Sequence, residues 1–317
     1  MNTYFSFLKS SSCLCLGESI SISGTRYVVV ERLGEGGFSV IDLVENTSSR
    51  KRYALKRITL YSLDDQNFAL KEVRIGEQID HPNVIKIVDY MLLGKADIIT
   101  NKSSQLLIVL PYYKNGTVHD QIVMRAKHKT FMSESEVLQM FMGICEGVKA
   151  LHEAKPEPLA HRDLKTANIC LTETMDPVIL DLGSCTEARV QINGQTEAQR
   201  LQDEASEKCS MVYRAPELFS VQSYCTIDER TDIWSLGCVL YAICFFKNPF
   251  DNAYEKGDSV ALAVLSGKVN IPEDSPYSQD MHELILFMLR LNPMERPYIY
   301  SVMERTQECI NKIENRV

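Results

Sequence analysis

The stretch His161-Arg162-Asp163-Leu164-Lys165-Thr166-Ala167-Asn168 crowds a carboxylate, an amine and an amide into a few positions. Such a grouping suits orienting a hydroxyl nucleophile, neutralising developing charge and coordinating Mg²⁺. Further on, Asp181-Leu182-Gly183 follows the strand-like run Val178-Ile179-Leu180. Two carboxylates and an amide form an oxygen-ligand set of the kind accepted by Mg²⁺, a hard cation that keeps several waters. Nearer the start, Gly34-Glu35-Gly36-Gly37-Phe38-Ser39-Val40-Ile41 is a turn whose glycines would let backbone N–H groups close over phosphates with no Cβ in the way. Hairpin turns are glycine-rich for structural reasons too, and a strand rather than a helix follows this one, which excludes the Rossmann and Walker arrangements. Lys56, in Tyr53-Ala54-Leu55-Lys56, is either a snorkelling surface residue or a paired charge within an apolar strand. Glu72 is its candidate partner, and the pair could hold α- and β-phosphates. A solvated polar turn accounts for either acidic motif alone, but not for both together with Lys56, Glu72 and the glycine turn.

Positioning these groups requires two compact parts joined by a short connection. The first reads as strands over Tyr27–Leu33, Val40–Val44 and Tyr53–Ile58, then a helix over Leu63–Ile79, then strands over Ile85–Leu92 and Gln105–Pro111. The second part is mainly helical. Ser133 and Glu136 form a capping box ahead of the apolar stripe Val137, Leu138, Phe141, Ile144, Val148 and Leu151, which ends near His152. Asp232–Phe246 is apolar almost all round and predicts the buried helix of this half.

Composition narrows the function classes. With 45% apolar and 24% charged residues, the chain has the make-up of a globular protein, not of a disordered or fibrous one. Its 42 acidic and 34 basic residues leave a net charge of −8, and no nucleic-acid partner is expected because phosphate binding depends on an excess of Lys and Arg. Ten cysteines are too sparse for a disulfide scaffold and include no CxxC pair, so a reduced, cytoplasmic setting is expected and structural zinc is not. The longest apolar run, Cys238–Phe246, falls well short of the roughly 20 residues of a membrane span. No basic n-region precedes Phe5, Phe7, Leu8, Leu14 and Leu16, so no signal peptide is expected.

From about Tyr27 to Ile310 the chain resembles a eukaryotic protein kinase. It carries in order the glycine turn, Lys56, Glu72, His161-Arg162-Asp163, Asn168, Asp181-Leu182-Gly183, Ala215-Pro216-Glu217, Asp232 and Arg296. The resemblance implies an α+β, bilobal fold, with a tail over 1–26 and a kinase domain over 27–311. Within that domain, an N-lobe (27–109) would join through a hinge (110–116) to a helical C-lobe (117–311), with catalysis in the cleft between the lobes. It further implies ATP and Mg²⁺ as cofactors and protein Ser/Thr hydroxyls as substrates. Lys56 would contact the phosphates and pair with Glu72, Asp163 would accept the hydroxyl proton, and Asn168 and Asp181 would hold Mg²⁺. Lys165, two positions after Asp163, resembles the serine/threonine branch, where Ser210 would bond to both. Leu33, Gly34, Glu35, Gly36, Gly37, Phe38, Ser39 and Ile41 would line the nucleotide, and Ala54 and Cys170 would sandwich adenine. Pro111 C=O and Tyr113 N–H would bond the adenine edge, beside Leu110 as gatekeeper. Asp232 would brace the catalytic loop and Glu217 would pair with Arg296. The readings set against an active protein kinase are a pseudokinase scaffold and a small-molecule kinase; the intact catalytic set and Lys165 with Ala215-Pro216-Glu217 oppose them.

Gly-Glu-Gly-Gly-Phe-Ser, Tyr213-Arg214-Ala215-Pro216-Glu217-Leu218-Phe219 and Gly257–Val264 narrow the resemblance to the Numb-associated kinase family. Cys13-Leu14-Cys15 falls where an acylated member of that family carries palmitoylated cysteines, implying a peripheral location on Golgi or vesicle membranes if both are modified. Asn2 excludes N-myristoylation of the chain as written, which needs Gly there. Ser39 replaces the third glycine of the turn, and Leu182 replaces the usual phenylalanine. Gly76 leaves the stack beside Leu182 without a member, predicting a weakly held Glu72 helix. Thr196–Lys208 reads as a helix opened by a Thr196/Gln199 capping box, able to order its segment without a phosphate on an arginine such as Arg162.

Overall fold

The computed structural model describes residues 17–36, 39–94 and 103–315, so Cys13, Cys15, Gly37 and Phe38 lie outside the described residues. The chain forms two compact units. One runs through Lys114 and includes Asp181–Gly183; the other comprises Asn115–Leu180 and the chain from Ser184 onward.

The first unit is built on β1 (Ser19–Ile22), β2 (Thr25–Glu35), β3 (Ser39–Asn46), β4 (Arg52–Leu60), α1 (Leu63–Gln78), β5 (Asp89–Leu93) and β6 (Ser104–Pro111). The strands form a six-stranded antiparallel sheet in the order β1-β2-β3-β4-β6-β5. β1 falls inside the stretch expected as a tail. Its Ile20 and Ile22 alternate inward to pack with Tyr27, Val29, Val44 and Leu55, a period-two pattern that the intervening serines disguise. The strand is extended by Gly17 N–H on Val29 O at 3.1 Å and Val29 N–H on Glu18 O at 2.9 Å.

The opposite face of the sheet carries Leu60, Leu106 and Ile108 against Ala69 and Val73 of α1. Lys56 stands opposite Ile108 and Ala54 opposite Leu110, so the pleat puts both on the α1 side. α1 starts at a Ser62/Asp65 capping box and buries Gln66, Ala69, Glu72, Val73 and Gly76, one helical stripe that includes Glu72. The strand expected over Ile85–Leu92 pairs only over Asp89–Leu93. Val84 and Ile85 are buried by side-chain packing instead, a distinction that an apolar run does not encode.

The second unit comprises α2 (Val118–His128), α3 (Glu134–His152), the short strands β7 (Leu159–Ala160), β8 (Ile169–Leu171), β9 (Pro177–Ile179), β10 (Thr186–Glu187) and β11 (Val190–Asn193), then α4 (Gln195–Lys208), β12 (Tyr224–Ile227), α5 (Arg230–Phe245), α6 (Asp251–Glu255), α7 (Val260–Leu265), α8 (Gln279–Met288) and α9 (Ile299–Glu314). The expected Ser133/Glu136 box caps α3. All sixteen residues of α5 are buried, and with α3, α8 and α9 they make one core containing Phe141, Trp234, Leu284 and Val302. Each such large side chain contributes about 1.5–3 kcal/mol on burial, so this core fixes the loops that α3 and α5 carry. α4 starts at Gly194 rather than through a Thr196/Gln199 box. The β11–β12 pair delivers the chain to that point, and Glu197 reaches back to the Asn193 N–H at 2.8 Å. The eight cysteines among the described residues are free thiols, and no helix among those residues is long and apolar enough to cross a membrane.

Candidate active site

In the first unit, Lys56 Nζ donates to Glu72 Oε1 and Oε2 at 2.7 and 2.9 Å and to Asp181 Oδ1 at 2.9 Å. Burial would push this ammonium down, but the Asp181 and Glu72 carboxylates outweigh it and hold its pKa above the ordinary lysine value. A lysine kept charged in a mostly buried place is an anion receptor whose direction is set from both sides. Asp181 adopts a left-handed φ of 58°, uncommon for a residue with a Cβ. The glycine turn is a hairpin: Gly34 pairs with Ile41, Glu35 with Val40, and Gly36 N–H bonds Ser39 O at 2.7 Å. Leu33 lies at a register shift in β2, which re-aims the strand just before the turn. Ala54, Leu110 and Pro111 are neighbours across β4 and β6, with Tyr113 just beyond.

Gly76 is not an empty place in the stack. A Cβ there would come within 2.6 Å of Ile87 Cδ1 and 3.7 Å of Leu182 Cδ1, so Ile87 occupies the space that a longer helix side chain would take. Sequence reasoning missed Ile87, which looks like an ordinary member of an apolar run.

In the second unit, Lys165 Nζ bridges Asp163 Oδ2 at 2.8 Å and Ser210 Oγ at 2.9 Å, while Ser210 N–H donates to Asp163 Oδ1 at 2.8 Å. Asn168 Nδ2 donates to Asp163 O at 2.9 Å, which turns its amide oxygen the other way. Thr166 Oγ1 and Tyr213 OH are 3.1 Å apart, tying the loop again to the segment that carries Ser210. Cys170 on β8 is half-buried, and burial pushes its thiol pKa up to about 12.

The loop is held from below by Asp232, fully buried at the start of α5. Its carboxylate accepts from His161 N–H at 2.7 Å and Arg162 N–H at 2.9 Å, and lies 3.0 Å from His152 Nε2. Burial would raise its pKa, but the bonds and charges of His152, His161 and the Arg162 amide prevail and lower it. Asp163 N–H bonds His161 Nδ1 at 3.2 Å, so His161 Nε2 carries the proton given to Leu180 O at 2.9 Å. Arg296 grips Glu217 in a fork of 2.7 and 2.9 Å and stacks over Trp234, fixing the end of the Ser210 segment. The part played by His152 was not foreseen. Its only signal is a buried polar residue closing the apolar stripe of α3.

The donor chemistry fits Mg²⁺. In the first unit Asp181 offers a partly exposed carboxylate and in the second Asn168 offers an amide oxygen, each by itself a hard ligand of the kind Mg²⁺ accepts. Among the described residues no cluster of three or more His, Cys, Asp or Glu side chains forms a metal cage.

The profile of the protein kinase domain matches residues 27–306. Serine/threonine-protein kinase 16 of Rattus norvegicus is 42% identical over 287 residues, covering 90% of this chain and 91% of that protein. Its Homo sapiens counterpart is 41% identical over the same shares. Serine/threonine-protein kinase ppk13 of Schizosaccharomyces pombe is 30% identical over 344 residues, 98% of this chain and 97% of that protein.

Proposed function

The chain belongs to the protein kinase family and is a serine/threonine protein kinase, and on that premise we propose that it transfers the γ-phosphate of ATP to protein hydroxyls with Mg²⁺, through the residues described above. Lys56, aimed by Glu72, binds the α- and β-phosphates, and the turn from Gly34 to Ser39 covers them with backbone N–H groups. Asp163 accepts the proton of the substrate hydroxyl. Lys165, held beside it, neutralises charge on the transferring group. Asn168 and Asp181 would hold Mg²⁺, which when bound would offset the charge of the phosphates. Ala54 and Cys170 pack on adenine, whose edge bonds Pro111 O and Tyr113 N–H, with Leu110 as gatekeeper. Little covalent chemistry is required, so rate comes from positioning and charge neutralisation.

One observation carries this reading: Lys165 Nζ within 2.9 Å of both Asp163 and Ser210 holds a carboxylate and an ammonium together, with the Ser210 hydroxyl accepting from the same ammonium. Phosphate transfer to a serine peptide, measured with Mg²⁺ and with EDTA, tests it. Asp163→Asn is expected to lose activity by roughly 10²–10⁴-fold, the usual contribution of a positioned base, and undiminished turnover in that variant would refute the assignment.

The finer reading places the enzyme on Golgi or vesicle membranes through palmitoylated Cys13 and Cys15. What supports it is the Cys-Leu-Cys sequence together with the physics of anchoring, since one acyl chain binds marginally and two bind stably. Hydroxylamine is expected to release the protein from cell membranes, and Cys13→Ser/Cys15→Ser to leave it soluble. A soluble protein with both cysteines intact counts against the idea.

A further inference from the structure

The connection between β3 and β4 carries Arg50-Lys51-Arg52, consecutive exposed cations in a chain whose net charge is −8. The turn that presents them is tied down. Asn46 Oδ1 accepts from the Ser48 and Ser49 N–H groups at 2.9 Å each, and Asn46 O accepts from the Arg50 N–H at 2.9 Å. Arg50 has a φ of 60°, a left-handed conformation that glycine or asparagine adopts at less cost, so a cation stands where turn chemistry favours a small residue. Its guanidinium meets Glu45 Oε1 at 2.8 Å, yet its side chain stays 80% exposed. Arg52 stands opposite Glu45, Glu45 opposite Val28, and Val28 opposite Ser19, a row that crosses four strands on one face of the sheet. At the far end of the row the exposed Arg26 donates from Nε to Ser19 Oγ at 2.5 Å. Against these cations the face carries Glu45, already covered by Arg50, and further along it Glu31, opposite Leu43.

We propose that Arg26, Arg50, Lys51 and Arg52 form a docking surface for an anionic bilayer, acting as a second membrane signal beside the acylated tail. Charge complementarity requires a polyanionic partner, and the place where the chain enters the sheet selects a membrane. The row starts at Ser19, on the strand that follows directly from Cys15, so a lipid on that cysteine delivers this face to the headgroups. A single acyl chain binds a bilayer marginally, whereas one chain joined to a polybasic cluster binds stably. Each cation close to an anionic leaflet strengthens association by roughly five-fold, an effect confined to about a Debye length from the surface. The rest of this acidic chain is repelled by the same leaflet, so the cluster also decides which side of the molecule turns toward it. The proposal deepens the membrane reading given above: with the cluster in place, one modified cysteine is enough.

Full-length protein made in bacteria, free of palmitate, tests the surface by co-sedimentation with vesicles of phosphatidylcholine alone and of phosphatidylcholine with one third phosphatidylserine. Because no acyl group on the protein is involved, failure of the palmitoyl reading would leave this result intact. Binding is expected to rise by roughly ten-fold or more with phosphatidylserine, and to be lost at high salt. Arg26→Gln/Arg50→Gln/Lys51→Gln/Arg52→Gln should fall to the phosphatidylcholine level. Arg26→Lys/Arg50→Lys/Arg52→Lys, which keeps the charge, should bind as wild type does, and a melting temperature near that of wild type shows that each variant is folded. Lys127→Gln/Lys247→Gln/Lys256→Gln/Lys268→Gln removes as many exposed charges from the second unit and should leave binding unchanged. Equal binding to both vesicles, or undiminished binding by the first variant, overturns the proposal. Binding to an acidic peptide such as poly-glutamate without any response to phosphatidylserine assigns a protein partner and overturns it too. In cells, Cys13→Ser should stay on membranes and become soluble when the four glutamines are added; retention regardless of the cluster is the contrary result.

Discussion

Replacing Asp232 with asparagine would change one atom in a fully buried carboxylate that receives two backbone N–H groups and faces His152. An amide has one accepting oxygen. Whichever way it turns, its NH₂ faces either the His161 or the Arg162 N–H, donor against donor. The variant therefore loses one charge-assisted bond, worth about 1.5–3 kcal/mol, and strands a buried N–H at about 1–3 kcal/mol. We expect a loss of roughly 3–5 kcal/mol, in the range for breaking a buried charged contact. Urea unfolding followed by tryptophan fluorescence is suited to the measurement, because Trp234 lies on the same helix. The pH dependence has a defined sign. The folded pKa of Asp232 is lowered, so its contribution is complete above the unfolded value of about 4 and is lost as pH falls through the folded value. Wild type and Asp232→Asn should thus converge on acidification. A loss under about 1 kcal/mol, or a gap that widens in acid, would refute the hydrogen-bond argument.

Gly76→Ala should destabilise by about 1–3 kcal/mol despite its better helix propensity, because the new Cβ meets Ile87. Combined with Ile87→Val it should cost less than the two single losses together, and strict additivity would count against the contact. Cys170, with its thiol pushed up to about 12, should resist iodoacetamide at pH 8 in mass-spectrometric footprinting, rapid alkylation being the contrary result. Phosphatase-treated enzyme should retain measurable activity, since α4, the β11–β12 pair and the Arg189–Glu229 bridge order the segment without a phosphate; complete loss would contradict this.

Much of the site was legible because its chemistry depends on residue type at short spacing. Asp163, Lys165 and Asn168 are bonded to one another within one loop, and Lys56 reaches Glu72 because strand and helix periods put both on facing sides. What escaped depends on contacts across long separations in the chain. Ile87 fills the gap at Gly76, and His152 meets Asp232, yet neither carries a local pattern. The Thr196/Gln199 box matched its motif, but the helix opens at Gly194 because the preceding strand pair dictates where the chain arrives. Gly76 also shows how a local deduction misleads. The absent side chain was visible in sequence, whereas its replacement from outside the helix was not.

β1 bears on any lipid attached at Cys15. Only Leu16 lies between that cysteine and Gly17, whose N–H is already bonded to Val29, so the leash of two residue steps is at most about 7 Å long. A kinase anchored there could not sweep a wide volume on a slack tether. It would ride with the β1 edge of its sheet close against the bilayer, and substrates held far from that membrane would be out of reach.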